Sequence, residues 1–186
     1  PSSVNPTATI TNCGNQTPGI SWSFPGGLPN SSTAANPGTI VYNTSGNYTV
    51  TLAVSNECGT TNATTPVVVH PTPVPTVPVD IVRCAGTSIG PLSFSSSIAG
   101  ATFSWTNSNP GIGLASSGSS NTIPVFTTQN SSGVPITATL TVTTSLNGCF
   151  GTATFNITVN PLPSLPVVVS PVNYCQNATA TALSAT

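Results

Sequence analysis

The chain has 186 residues, 37% of them hydrophobic, yet only one Lys or Arg and two Asp or Glu, for a net charge of −1. So little positive charge excludes nucleic-acid binding, which rests on Lys and Arg displacing counterions from phosphates, and excludes attraction to an anionic membrane surface. Disordered chains combine low hydrophobicity with high charge, so this one is expected to fold, with Ser, Thr, Asn and exposed backbone keeping it soluble.

Apolar and polar residues alternate strictly along the chain, with no helical stripe. Ile20, Trp22 and Phe24 fall on one face of a first strand. Tyr48, Val50, Leu52 and Val54 do the same further on, with Thr49, Thr51 and Ser55 opposite. Cys13 precedes this block, and Cys58 lies in the turn-rich Ser55-Asn-Glu-Cys-Gly59. His70 ends a strand, and Pro71 opens a proline-rich joint that runs to Pro78. The pattern then recurs. Cys84 precedes Phe103 and Trp105, and Ile136, Ala138, Leu140 and Val142 oppose Thr137, Thr139, Thr141 and Thr143. Cys149 sits in the turn-rich Leu146-Asn-Gly-Cys-Phe-Gly151, after which Phe155, Ile157 and Val159 oppose Thr154, Asn156 and Thr158. A second proline-rich joint follows, and Tyr174-Cys175 opens a third copy.

One wet face and one packed face mark antiparallel sheets, and short strands with Gly, Asn and Ser turns point to β-sandwiches. The expected organisation is all-β, in tandem: sandwiches over 1–70 and 79–160, proline-rich linkers over 71–78 and 161–171, and the start of a third repeat over 172–186. Trp22, Tyr48 and Leu52 should form the first core, and Trp105 and Leu140 the second. Proline removes backbone donors and fixes φ, so the linkers should be extended and semi-rigid.

Five cysteines without CxxC spacing argue against a zinc or redox site. Two can close within each complete repeat, giving the expected disulfides Cys13–Cys58 and Cys84–Cys149, with Cys175 pairing beyond Thr186. Each bridge should staple the hairpin of the last two strands back to the start of its domain. Closing loops of roughly 45 and 65 residues stabilises each domain by about 4 kcal/mol in the loop-entropy model. Disulfides imply an oxidising, exported location. No apolar run approaches the length of about 20 residues that spans a bilayer, and no signal peptide is visible.

Catalysis needs convergent ionisable groups, and apart from the cysteines and tyrosines the chain offers Glu57, His70, Asp80 and Arg83. Glu57 and Asp80 lie in different repeats, and the cysteines have better partners than His70, so neither catalysis nor a cofactor is expected. Asp80 and Arg83 suit a surface ion pair. The threonine faces supply wettable strand surface in a chain that avoids charge, in preference to an ice- or polysaccharide-matching lattice. Trp22 and Trp105 are expected to be buried and not to stack on sugars. Triplets of the N-x-S/T type at Asn15, Asn30, Asn43, Asn130 and Asn177 arise easily in such a composition.

Trp22-Ser-Phe24-Pro-Gly-Gly27 followed by Gly46-Asn-Tyr48-Thr-Val50-Thr-Leu52-Ala-Val54 resembles the polycystic-kidney-disease (PKD) domain. That family usually carries an Asp in the turn after the Phe, and its lack here counts against a calcium role for the turn. The second repeat is similar to a diverged PKD-like or Ig-like unit. The third resembles the Ig-like repeats of very large Bacteroidota surface proteins, whose V-x-P-x-P joints are also similar. The resemblance implies a giant exported adhesin at the bacterial cell surface, of the type 9 secreted, gliding-motility kind. It implies as partners the neighbouring repeats, surface glycans, and secretion or motility machinery. Two alternatives stay open: a glycan- or protein-binding module using loops such as Gly26–Pro37 and Gly111–Asn121, and accessory repeats of a secreted hydrolase.

Overall fold

The computed structural model describes residues 2–11, 16–167, 173 and 175–179, almost all of the ordered elements being strands. Chain contacts divide it into two compact units, residues 1–74 with 145–151 and residues 75–144 with 152–186.

The first unit is built from β1 (Ser2–Val4), β2 (Gly19–Ser23), β3 (Gly27–Leu28), β4 (Ser31–Ser32), β5 (Ile40–Tyr42), β6 (Gly46–Asn56) and β7 (Gly59–Val69). They form a four-stranded sheet in the order β4-β2-β6-β7 and a three-stranded sheet in the order β1-β5-β3, every pairing antiparallel. Alternation does the rest. Trp22, Phe24, Val50, Leu52 and Val69 meet Ile40 and Tyr42 in one buried cluster between the layers, as a sandwich requires. Trp22 is registered against Leu52, and its ring stacks on Phe24 with centroids 5.7 Å apart.

β6 and β7 make a hairpin paired residue by residue from Gly46 against Val69 to Asn56 against Gly59. Its turn is closed by Asn56, whose Oδ1 accepts from the Cys58 N–H at 2.9 Å. Tyr48 is half-buried at the start of β6, and its hydroxyl donates to the Thr44 carbonyl at 2.8 Å. That bond ties the incoming loop to the strand, in the manner of the tyrosine corner of Ig-type sandwiches.

The second unit carries β8 (Pro75–Thr76), β9 (Ile81–Cys84), β10 (Ser88–Ile89), β11 (Leu92–Ser93), β12 (Ser95–Ser96), β13 (Thr102–Asn107), β14 (Ser117–Gly118), β15 (Thr122–Ile123), β16 (Phe126–Thr127) and, apart from residues 145–151 at the tip of their hairpin, β17 (Ile136–Leu146) and β18 (Cys149–Asn160). The main sheet has the order β14-β13-β17-β18-β9. Its inner residues Trp105, Ala138, Leu140, Val142, Phe155, Ile157 and Val159 join one core cluster with Ile89, Phe94 and Ile123. The last three are contributed by, or lie beside, the short antiparallel pairs β10–β16 and β11–β15, which cover that face. Gly118 packs on Trp105 so closely that a Cβ there would lie 2.5 Å from ring carbons Cε2 and Cζ2.

As in the first unit, the tryptophan strand neighbours the first strand of a long closing hairpin. Pro75 and Thr76, inside the expected 71–78 linker, pair with Ser96 and Ser95 as part of the second unit. A two-residue ladder tolerates proline because it needs so few donors.

Candidate functional site

The ionisable side chains do not converge. Glu57 sits exposed in the β6–β7 turn, His70 follows β7, and Asp80 and Arg83 flank β9 in the other unit. No group of three or more His, Cys, Asp and Glu that could hold a metal occurs among the described residues. The expected Asp80–Arg83 ion pair is not formed. Arg83 Nη1 donates to the Val82 carbonyl at 2.8 Å, while Asp80 bonds elsewhere. Residues three apart on an extended chain point to opposite sides, which separates the two charges.

The partner of Asp80 is Asn156 on β18. Its backbone N–H donates to Asp80 Oδ1 at 2.7 Å, and its side-chain amide donates to Oδ2 at 3.1 Å. These bonds, the backbone one foremost, hold the Asp80 carboxyl below its ordinary value. From there β9 runs parallel to β18, from Ile81 against Ile157 to Cys84 against Asn160. Beyond its end the Ala85 N–H donates to the Asn160 carbonyl at 2.9 Å. Buried Thr128 secures the same end: its hydroxyl accepts from the Thr87 N–H at 3.1 Å and lies 2.7 Å from the Cys84 carbonyl, to which it can donate.

On the outer face of the main sheet the threonines bond to their neighbours across the strands. Thr137 Oγ1 and Thr158 Oγ1 are 2.9 Å apart, and Thr139 Oγ1 donates to Asn156 Oδ1 at 2.9 Å. Hydroxyls engaged in this way serve the sheet first. Trp22 and Trp105 are both 5% exposed, so neither offers a face to a sugar ring. Leu52 and Leu140 are also buried. The loop after β13 is internally tied: Asn107 Nδ2 donates to the Leu114 and Ala115 carbonyls, and Asn109 caps a short 3-10 turn over Pro110–Ile112. The first unit has an open, mainly apolar cleft of about 380 Å³ beneath residues 4–8, floored by Trp22, Val50, Leu52 and Val67.

The cysteines require a correction. No disulfide joins the described cysteines, and Cys84 cannot reach Cys149. Cys149 is the first residue of β18, whereas Cys84 is registered against Asn160, the last. At a rise of about 3.3 Å per residue the two lie roughly 35 Å apart along the strand, against the 7 Å limit on Cα separation for a disulfide. The parallel direction of β9 is the cause, since it carries Cys84 away from the hairpin turn. Cys13 lies outside the described residues, as does the beginning of the third repeat around Tyr174; Cys175 is exposed. In the first unit Thr11 and Pro18 line a cleft of about 320 Å³ together with Cys58.

No helix of the described residues is long and apolar enough to cross a membrane. Residues 4–69 match the PKD domain family model. No curated protein matches the chain. Among solved structures it is similar to Drosophila N-cadherin EC1-4 at 12% identity and a TM-score of 0.45, covering 80% of this chain and 42% of that one. It is similar to mouse cadherin-23 EC22-24 at 13% identity and a TM-score of 0.36, covering 80% and 54% respectively. The fibronectin(III)-like modules of Clostridium thermocellum CbhA match at 16% identity and a TM-score of 0.35, covering 86% of both chains. The chain thus spans about half the length of the two cadherin segments. The match over residues 4–69 is consistent with the all-β, Ig-like sandwich described above.

Proposed function

We propose that the chain is a stretch of the stalk of a secreted bacterial adhesin, in which tandem β-sandwich repeats space a binding tip from the cell surface. The observation that carries this reading is the repetition of one plan. In each unit a tryptophan strand lies beside the first strand of a long closing hairpin, β2 beside β6 and β13 beside β17, and a proline-rich segment follows. Such arrays contact mainly their neighbours and gain reach by addition of copies. PKD-like domains are commonly extracellular repeats or adhesion modules, which agrees with this role. The near-absence of Lys and Arg suits an exposed filament, since it leaves trypsin-like proteases a single side chain to cut after.

The work done is mechanical. Folded units resist extension, and proline joints limit how far the array can crumple. The finer assignment is to a Bacteroidota surface protein exported by the type 9 system and used in gliding; it rests on the third-repeat and joint resemblances. The test is the parent protein. Dozens of further copies in the flanking sequence, with antibodies to this segment decorating surface filaments, are the expected result. An adjoining hydrolase domain in place of further copies would overturn it.

A further inference from the structure

The first and last strands of the main sheet in the second unit lie side by side and run the same way. The chain enters this seam from the proline-rich segment ahead of Asp80 and leaves it at Asn160 into Pro161. Once the two-residue β8–β12 ladder ahead of it has parted, tension along the chain therefore drags β9 backward and β18 forward on one axis. All bonds of the parallel ladder are then loaded together in shear, whereas a hairpin pulled at its open ends parts one bond at a time.

Both ends of β9 carry an added lock. At its end stand Thr128 and the Ala85–Asn160 bond. At its start Asp80 takes a backbone N–H and a side-chain amide from the same residue, Asn156. A slip of one residue turns every side chain of a strand to the opposite face, so the double bond to Asn156 does not survive sliding. Asp80 is one of only two acidic residues in the chain, and it is placed at this point.

We infer that this seam is a mechanical clamp, in which Asp80 and Asn156 lock the terminal strands against sliding and make the second unit strongest against tension along the chain. Its biological use rests on the stalk reading; its physics does not. The clamp is tested by single-molecule force spectroscopy on the whole chain in two pulling directions. One pair of handles is fixed to the chain ends. The other joins the N-terminus to a tag at exposed Gly100, just ahead of β13, whose start lies toward the same end of the sheet as the start of β9, so that β9 is peeled sideways.

The expected result is a higher unfolding force for the second unit in the end-to-end direction. Asp80→Ala should speed its unfolding at fixed force about three- to tenfold there, and less than twofold in the peeling direction. Asn156→Ala keeps the backbone bond and should show a smaller effect of the same directionality, which guards against a fold defect in the first variant. Urea midpoints of both variants establish that the unit still folds. Equal wild-type forces in the two directions, or an Asp80→Ala variant unchanged end to end, overturn the clamp whatever the parent protein is. A parent without further repeats removes the stalk and leaves the clamp standing.

Discussion

Leu52 and Leu140 both lie on the inner face of the first strand of a closing hairpin, yet their replacement by alanine should not cost the same. Either truncation forfeits the transfer of about three methylene equivalents, roughly 2.4 kcal/mol. The surroundings differ. Leu140 is 0% exposed, with core residues around it in the second unit. The void left there stays empty, and a residual volume of about 60 Å³ adds close to 1.5 kcal/mol, for a total of about 4 kcal/mol. Leu52 is 8% exposed and already borders the open cleft beneath residues 4–8 and a second cleft of about 220 Å³ beside Thr9 and Ile10. Its removal enlarges space that water already reaches, so the loss should stay near 2.5 kcal/mol. Each unit holds one of the two tryptophans, so intrinsic fluorescence separates the two transitions. Urea unfolding in a Trp105→Phe background reads the first unit, and in a Trp22→Phe background the second. Equal losses at the two positions, or a larger loss at Leu52, would refute the argument that local openness sets the difference.

Gly118→Ala brings a Cβ to 2.5 Å from the Trp105 ring and should destabilise the second unit by about 1–3 kcal/mol, with a shifted Trp105 emission band; wild-type stability would mean the ring yields freely. Because the Asp80 carboxyl is held below its ordinary value of 3.8, its contribution is present above that value and lost as pH falls through it toward the lowered folded-state value. Acid titration of second-unit stability should show this loss, and Asp80→Asn should flatten it. Tyr42 titrates in the opposite sense: burial raises its hydroxyl, with Tyr48 adding to the shift, so first-unit stability should decline as pH rises past about 10. Tyr42→Phe should remove that decline. Peptide mapping of the oxidised protein should link Cys13 to Cys58, whose cleft is lined by Thr11 and Pro18, and should yield no Cys84–Cys149 peptide.

The long amphipathic strands were legible in the sequence because their alternation is itself the record of one buried face. β2, β6, β13, β17 and the closing half of β18 all lie where period-two patterning placed them. β7 escapes such a reading. Its Gly59–Val69 stretch is exposed over most of its length, with four threonines, an asparagine and a proline at 66 ahead of three valines, and it is a strand because β6 offers it an unbroken ladder. Ile40 and Tyr42 are 0% exposed and central to the first core, but a three-residue strand gives too short a pattern to stand out. The Asp80–Asn156 lock joins residues 76 apart in sequence, and no local signal announces it. The cysteine pairing of the second repeat failed for a related reason. Spacing counts cysteines per repeat, whereas the direction of β9, parallel to β18, decides which end of the sheet Cys84 reaches.

That first-to-last adjacency also governs when the second unit can assemble. As the polypeptide emerges residue by residue from a ribosome or a translocation pore, β9 appears early and finds no neighbour, and Ile81 stays wet until the tail of β18 arrives. Contacts of such long sequence separation make closure slow, on the millisecond-to-second scale typical of sandwiches. Ripening of the second unit is therefore late: its main sheet completes itself only once the last residues of β18 are out.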